Sequence, residues 1–205
     1  MSLWEKIAKQ FGKPSGLLGN VADYIMATRS SNIERNEWGI SLLNLQPSDQ
    51  VLEIGFGPGI AIQKMSKLVT KGIIYGIDHS DLMVKKASKR NNDTILAGRV
   101  KLISTAVSEL PAFDKPIDKI IDINSFQFWE EPVNYLNRLK TIMKNEGIIA
   151  LIHQPRKPGA TKQDSIEAGE KFAKYLDQAG FKNIRIENKI MKPVPTIGVL
   201  GQLMA

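Results

Sequence analysis

The residues of this sequence whose types and spacing indicate chemistry are three alternating glycines and the acid that precedes them. Gly55, Gly57 and Gly59 follow the apolar residues 51–54, and Glu53 lies two positions before the first glycine. Glycine adopts positive φ and lets a ligand approach the bare backbone. A carboxylate at the end of a strand can bind a polar or cationic group. The stretch therefore predicts a buried strand, a tight turn and a helix, which is where open α/β sheets bind their ligands.

The spacing of the glycines separates the ligands that such turns bind. A phosphate-binding P-loop requires lysine and then serine or threonine after its last glycine, but Ile60 and Ala61 stand there. The dinucleotide fingerprint Gly-x-Gly-x-x-Gly requires a glycine where this chain has Ile60. A nicotinamide-dependent oxidoreductase stays open as the alternative enzyme class.

A second acid stands where a ribose would be bound. Asp78 follows the predicted strand 73–77, about twenty residues after the glycine turn, and its two carboxylate oxygens could accept both hydroxyls of a ribose. The alternative is that Asp78 caps the helix predicted at 81–90. His79 next to it either lines an adenosine pocket or is an exposed loop residue.

The pattern Glu53-x-Gly55-x-Gly57-x-Gly59 resembles motif I of the class I S-adenosylmethionine-dependent methyltransferases, and residues 76–80 resemble the segment of that family that holds the adenosine ribose. The resemblance implies S-adenosylmethionine as the cofactor, with Glu53 at its cationic amino group. Many relatives have an acid where this chain has Ala106, so any contact with the adenine falls to backbone groups there. The residues predicted to contact the cofactor are Glu53, Gly55, Phe56, Gly57, Gly59, Asp78, His79, Met83, Ala106, Val107 and Asn124.

Residues 124–132 resemble the motif IV region of small-molecule methyltransferases, with Gln127 near the position where relatives often have histidine. The segment lacks the paired prolines typical of enzymes that methylate base or amide nitrogens. A small-molecule acceptor is therefore expected, and nucleic acid is disfavoured. His153, at the end of a predicted strand, is the best candidate for a general base, with a locally hydrogen-bonded loop histidine as the alternative. Gln127 can orient an acceptor but cannot take a proton at neutral pH.

The missing acid at Ala106 and the lack of a clear base leave a third possibility, a regulator that binds the cofactor without catalysis. The sequence does not predict the identity of the acceptor, the atom methylated or the oligomeric state.

Alternating strand and helix patterns predict a Rossmann-like, doubly wound sheet that is mostly parallel. Two late strands without a helix between them imply one antiparallel strand in the edge region, and the resemblance implies seven strands in total. Residues 1–47 are predicted to form a helical cap or lid, and 48–205 the methyltransferase domain. Strands are predicted at 51–54, 73–77, 100–104, 118–124, 148–152, 184–190 and 197–203, and helices at 60–69, 81–90, 132–144 and 163–179, after cap helices at 3–11, 17–28 and from 31.

Composition limits the remaining classes. The chain has 205 residues, no cysteine and two histidines, which favours one domain without disulfides, thiolate metal sites or a histidine-rich zinc site. No apolar run is long enough to span a membrane, and residues 1–10 lack the features of a secretory signal, so a cytoplasmic location is expected.

The net charge of +7 has two readings. Six basic residues gather on one predicted helix and the strand after it, which could form a patch for nucleic acid. A solvated helix face is the favoured reading, because no aromatic residues are interleaved with the charges. The six are Lys85, Lys86, Lys89, Arg90, Arg99 and Lys101.

Overall fold

A computed structural model of the chain describes residues 30–204. Its seven strands are β1 (Val51–Ile54), β2 (Ile74–Asp78), β3 (Val100–Ser104), β4 (Ile117–Ile123), β5 (Met143–His153), β6 (Lys182–Lys189) and β7 (Thr196–Gln202). The helices of this part of the chain are α1 (Ser30–Leu42), α2 (Ile60–Met65), α3 (Asp81–Arg90), α4 (Asn92–Leu96), α5 (Pro132–Lys140) and α6 (Lys162–Gln178), with a 3-10 turn at Phe126–Phe128. The cap helices predicted before residue 30 lie outside the described residues.

The strands form one sheet in the order β3-β2-β1-β4-β5-β7-β6. The pairs from β3 to β5 are parallel, and β7 runs antiparallel to both of its neighbours, β5 and β6. The predicted fold class and its single antiparallel strand are confirmed. The chain leaves β1 towards β2 and β3 on one side and returns to β4 on the other. The carboxyl ends of β1 and β4 therefore flank the topological switch point, where open α/β sheets bind ligands.

The central strands form because their residues can be buried on both faces of the sheet. All four residues of β1 are buried. Leu52 belongs to an apolar cluster on one face with residues of α5 and α6, while Val51 belongs to a cluster on the other face with residues of α1 and α2. Each such aliphatic side chain contributes about 1.5–3 kcal/mol when fully buried. Glu53 lies on the same face of the sheet as Val51. It is the one charged residue in this buried strand.

Helix α1 packs directly on the sheet beside β5 and β7, and glycines permit the close approach. A Cβ atom added at Gly39 would lie 2.8 Å from Cγ1 of Ile152, and one added at Gly198 would lie 2.7 Å from Cδ1 of Leu42. This close contact brings the first turns of α1 to the carboxyl end of β5, which becomes important for the site.

Several predicted boundaries are wrong, for tertiary reasons. The helix that starts at Pro132 ends at Lys140 because Met143 already pairs with Ile117 as the first residue of β5. The predicted helix 60–69 ends at Met65, and α4 was not predicted. The connection 105–116 contains no helix, so the strand–helix alternation is interrupted there.

The six basic residues on and after α3 are not all available to a partner. Arg99 donates a hydrogen bond of 2.8 Å to the carbonyl of Ser66, and Lys101 forms a 2.6 Å ion pair with Asp114. Among residues 30–204, no helix is long and apolar enough to cross a membrane. The cytoplasmic location stays a prediction from the sequence.

Candidate functional site

Three carboxylic acids meet at the switch point of the sheet. Glu53 lies on β1, Asp78 is the last residue of β2, and Asp122 lies on β4. Asp122 pairs with Ile54, the residue that follows Glu53. Glu53 is 2% exposed and Asp122 is fully buried. Within residues 30–204, none of the three forms an ion pair with lysine or arginine. The fold thus places three carboxylic acids at the point where open α/β sheets bind their ligands.

Glu53 has the least compensated environment of the three acids. Its burial, and then the charges of Asp122 and Asp78, raise its pKa well above the usual 4.5, and only the backbone amide of Ile62 acts in the opposite direction. Its Oε2 atom is buried and has no hydrogen-bond partner in the described part of the chain. An unpaired buried oxygen of this kind is costly unless a ligand donates to it. A cationic donor is the group that fits best.

Asp78 holds the glycine turn with its carboxylate. The backbone amide of Gly57 donates to Oδ2 at 2.8 Å, and that of Ser80 donates to Oδ1 at 2.9 Å. Burial raises the pKa of Asp78 despite these two donors. Each carboxylate oxygen accepts about two hydrogen bonds, so each retains one position for a ligand hydroxyl. Asp78 also caps the following helix in part, because Ser80, whose amide it accepts, immediately precedes α3.

Asp122 and Ser125 were not predicted from the sequence. Oδ1 of Asp122 accepts hydrogen bonds from the amides of Ser125 and Phe126, at 2.9 and 2.8 Å, and Oδ2 accepts the hydroxyl of Ser125. Burial raises the pKa of Asp122 to about 6. The sequence contained one sign of Asp122, because an acid stands within a run of isoleucines near the carboxyl end of the strand predicted at 118–124.

Asp122→Asn should change how stability depends on pH. Because the folded-state pKa of Asp122 is raised, from 3.8 to about 6, its contribution is fully present below pH 4 and is lost as pH rises through 6. The amide keeps an oxygen for both backbone donors and can donate to Ser125. Wild type should therefore lose about 3 kcal/mol of unfolding free energy relative to the variant between pH 4 and 7. Urea unfolding at several pH values measures this, and a pH-independent difference would contradict it.

The three glycines have positive φ and different surroundings. A Cβ atom at Gly55 would lie 2.4 Å from Oγ of Ser125, and one at Gly59 would lie 2.7 Å from Cβ of Ala87. At Gly57, with φ +51°, no atom of residues 30–204 lies within 4 Å of an added Cβ. Gly55 and Gly59 therefore allow the loop to pack, whereas Gly57 faces open space beside Asp78.

His153 and Gln127, the two candidates for the chemical step, contact each other. Nδ1 of His153 lies 3.1 Å from Oε1 of Gln127, whose Nε2 donates to the carbonyl of Asn124 at 2.8 Å. This second bond orients the amide, so Nδ1 carries the proton and donates to Gln127. Nε2 of His153 is left with its lone pair. Burial, then the charges of Arg35 and Arg156, lower the pKa of His153 to about 4, so the imidazole is neutral at physiological pH.

A cationic group that the sequence did not reveal lies beside this histidine. Nη1 of Arg35, on α1, donates to Oε1 of Gln154 at 3.1 Å, and Nη2 of Arg156 lies 3.3 Å from the same oxygen. Gln154 is fully buried, and its Nε2 donates to the carbonyls of Lys192 and Val194. Two arginines thus share one neutral amide. The sequence of residues 30–42 gave no signal of this arrangement.

The other predicted contact residues occupy varied positions. Asn124 has a positive φ of 61° and accepts the amide of Gln154 at 2.8 Å through Oδ1, so its side chain links the ends of β4 and β5. Phe56 and Met83 have buried side chains, and His79 is exposed. Ala106 and Val107 are half-buried, and their amide N–H groups have no acceptor among residues 30–204.

These features define a class of protein. A doubly wound sheet has its site at the switch point, a glycine loop opens at Gly57, and unpaired acids surround it. Within residues 30–204, no lysine or arginine forms an ion pair with any of these acids. The arrangement suits a nucleoside ligand that carries positive charge rather than a pyrophosphate.

Comparison with known proteins gives the same class. A family described as "Methyltransferase domain" matches residues 52–151. The chain is 31% identical over 173 residues to an uncharacterized methyltransferase of Bacillus subtilis, YdaC, covering 84% of this chain and 92% of that protein. It is 23% identical to the erythromycin 3''-O-methyltransferase of Saccharopolyspora erythraea, over 73% of this chain and 56% of that enzyme. A crystal structure of an S-adenosylmethionine-dependent methyltransferase from Aquifex aeolicus superimposes with a TM-score of 0.66 at 24% identity, covering 98% of each chain.

The chain belongs to the class I S-adenosylmethionine-dependent methyltransferases, and its cofactor is S-adenosylmethionine. The resemblance found in the glycine motif is confirmed. The nicotinamide-dependent and non-catalytic alternatives are set aside. The residues present fit this cofactor, because it offers cationic groups to the unpaired Oε2 of Glu53 and needs the open space at Gly57.

Proposed function

We propose that this methyltransferase acts on a small-molecule acceptor that binds at the carboxyl ends of β4 and β5. Residues 124–132 lie at this edge of the sheet and lack the paired prolines typical of enzymes that methylate base or amide nitrogens. The similarity to an erythromycin O-methyltransferase supports an acceptor of this size class.

The cofactor, when bound, supplies a methyl group activated by a positively charged sulfur. On the protein side, Glu53 binds its amino group, Asp78 accepts the ribose hydroxyls, and Gly57 lets it reach the backbone. The amide N–H groups of Ala106 and Val107, which have no acceptor within residues 30–204, are available to the adenine. Asp122 stays buried behind the loop, where its hydrogen bonds to Ser125 hold Ser125 against Gly55.

The observation that supports this placement of the cofactor is that Oε2 of Glu53, between two further acids, has no hydrogen-bond partner within residues 30–204. A pyrophosphate would meet repulsion there, whereas an ammonium or sulfonium group is attracted in a site of low effective dielectric. The acids therefore serve to bind the cofactor and not to carry out the chemical step.

His153 and Gln127 act on the acceptor side in this proposal. Because Nδ1 of His153 donates to Gln127, the lone pair on Nε2 faces away from that bond and can accept a hydrogen bond from an acceptor O–H or N–H. A pKa of about 4 makes the free imidazole a weak base. With this low pKa, His153 can orient the acceptor through a hydrogen bond but does not take up its proton.

The proposal is tested by binding and turnover. Titration calorimetry should show saturable binding of S-adenosylhomocysteine. The protein should be incubated with S-adenosylmethionine and a panel of hydroxylated and amine-bearing metabolites. S-adenosylhomocysteine should be released only with metabolites of one chemical class. Turnover with RNA or DNA and with no metabolite would contradict the small-molecule acceptor.

Asp78→Ala should weaken binding of S-adenosylhomocysteine far more than His79→Ala does. The first change removes the acceptor for the Gly57 amide and the proposed ribose contacts, for which we expect a loss of about 10- to 100-fold. His79 is exposed and its removal should alter affinity by less than roughly threefold. Calorimetric titration of both variants decides, and equal effects would show that Asp78 does not bind the ribose.

A further inference from the structure

We propose that the methyl acceptor is an anion, and that Arg35 binds its carboxylate or phosphate group beside His153. This inference rests on the proposed function, because it names the substrate class of the same site.

Within residues 30–204, one edge of the Arg35 guanidinium is hydrogen-bonded and the other edge has no partner. Arg35 is 7% exposed, and Nη1 donates to Gln154. Nε is buried without a partner, and Nη2 has no hydrogen bond to any residue in the described part of the chain. Nε and Nη2 point in the same direction, and this is the edge that binds the two oxygens of a carboxylate or phosphate side by side.

No carboxylate of the protein neutralises this charge among residues 30–204. The adjacent acid, Glu34, forms an ion pair with Lys189 at 3.5 Å. The residue that accepts the hydrogen bond of Arg35 is the neutral Gln154. Burial, and then the neighbouring charge of Arg156, lower the pKa of Arg35 to about 9. A buried cation without a counter-ion is unfavourable. An anionic ligand would compensate it.

The position of Arg35 distinguishes the acceptor from the cofactor. The sheet order places β5 two strands from β1, which corresponds to about 10 Å at the usual strand spacing. Glu53 on β1 is the proposed partner of the cofactor's amino group, and the cofactor's own carboxylate is attached to the same carbon as that amino group. An anion at the end of β5 therefore belongs to a second molecule. The site is acidic at β1, β2 and β4, where the cationic cofactor binds, and basic at β5.

The chemistry next to Arg35 suits an acceptor as well. His153 is close enough that the charges of Arg35 and Arg156 lower its pKa. A bound anion would offset both charges, so the pKa of His153 would rise towards its usual value. The acceptor's own charge would then strengthen the hydrogen bond that Nε2 accepts from it.

The test compares matched anionic and neutral probes on the wild-type protein saturated with S-adenosylhomocysteine. Benzoate and phenyl phosphate should bind at least about tenfold more tightly than benzamide in titration calorimetry, because only the anions pair with Arg35. The tighter of the two anions identifies the acid group of the acceptor. Equal binding of benzamide, or no saturable binding of either anion, would overturn the inference. Failure of S-adenosylhomocysteine itself to bind would instead overturn the proposed function.

Variants of Arg35 assign the effect to this side chain. Arg35→Met should abolish the preference for anions, and Arg35→Lys should retain part of it, while the exposed control Arg185→Met leaves it unchanged. All three should bind S-adenosylhomocysteine as wild type does. If Arg35→Met instead weakened S-adenosylhomocysteine but not methylthioadenosine, which lacks the amino-acid part, Arg35 would bind the cofactor's carboxylate and the inference would be wrong.

A measurement on wild type covers the case in which these variants fail to fold. The chain contains two histidines, so their NMR signals can be separated, with the exposed His79 as an internal reference. Saturation with benzoate should raise the pKa of His153 from its value of about 4 in the free protein. Binding of benzoate without any change at His153 would place the anion elsewhere and overturn the inference.

Discussion

Replacing Gly57 with valine is expected to abolish cofactor binding while the protein still folds. Gly57 has φ +51°, and in the described part of the chain an added Cβ would meet no atom within 4 Å. The valine side chain would therefore project into the space beside Asp78. The left-handed backbone adds strain of about 1–2 kcal/mol, which a domain with 5–15 kcal/mol of stability tolerates. Loss of binding would therefore come from occupied space and not from unfolding.

Gly98→Val is the matched control for this change. Gly98 also has positive φ, at 72°, and no atom of the described residues lies within 4 Å of an added Cβ there. It precedes β3 at the opposite end of the sheet. Both variants should lose similar stability in thermal unfolding. In titration calorimetry with S-adenosylhomocysteine, only Gly57→Val should lose affinity, by more than about 100-fold. Comparable affinity of the two variants would mean that the loop at Gly57 does not face the cofactor.

The sequence predicted what depends on neighbours along the chain. The glycines and Glu53 lie within seven residues of each other, and the acid at Asp78 ends the next strand, so local patterns located both. The same patterns could not assign a separate task to each glycine. That Gly59 packs against Ala87 and Gly55 against Ser125 depends on which helix and loop come to lie beside the turn.

Residues whose role depends on the sheet order were missed. Asp122 lies close to Glu53 only because β4 pairs with β1 on the side opposite β2. A run of isoleucines predicts a buried strand but not which strand it pairs with. Arg35 and Gln154 are 119 positions apart and meet because α1 packs on the end of β5. Residues of this kind become visible only when the register is known.

His153 and Gln127 show a mixed outcome. His153 was predicted from its position at the end of a strand, and Gln127 from the resemblance of residues 124–132 to motif IV. The contact between them follows from the pairing of β4 with β5. Their geometry indicates which nitrogen is free, but the low pKa of His153 comes from burial and from two arginines that sequence patterns did not bring near it. The helix boundary at Lys140 failed for a similar reason, since pairing of Met143 with Ile117 overrides helical periodicity.

Glu53→Gln is expected to weaken cofactor binding strongly without lowering stability. The folded-state pKa of Glu53 is raised, so its ionised form destabilises the fold at neutral pH, and the amide removes this repulsion from Asp122 and Asp78. The variant should be at least as stable as wild type at pH 7. Affinity for S-adenosylhomocysteine should fall by about 10- to 100-fold, since a charge-assisted hydrogen bond to the amino group is lost.

The protonation of Glu53 gives this prediction a second measurement. Because its pKa is raised in the free protein, a cationic ligand should favour the ionised form and release a proton on binding. Calorimetry in buffers of different ionisation enthalpy should detect this proton with wild type and with the exposed control Glu109→Gln, but less of it with Glu53→Gln. If Glu53→Gln bound the ligand normally and lost stability instead, Glu53 would be a structural capping group for Ile62, and the acids at the switch point would have no part in selecting a cationic cofactor.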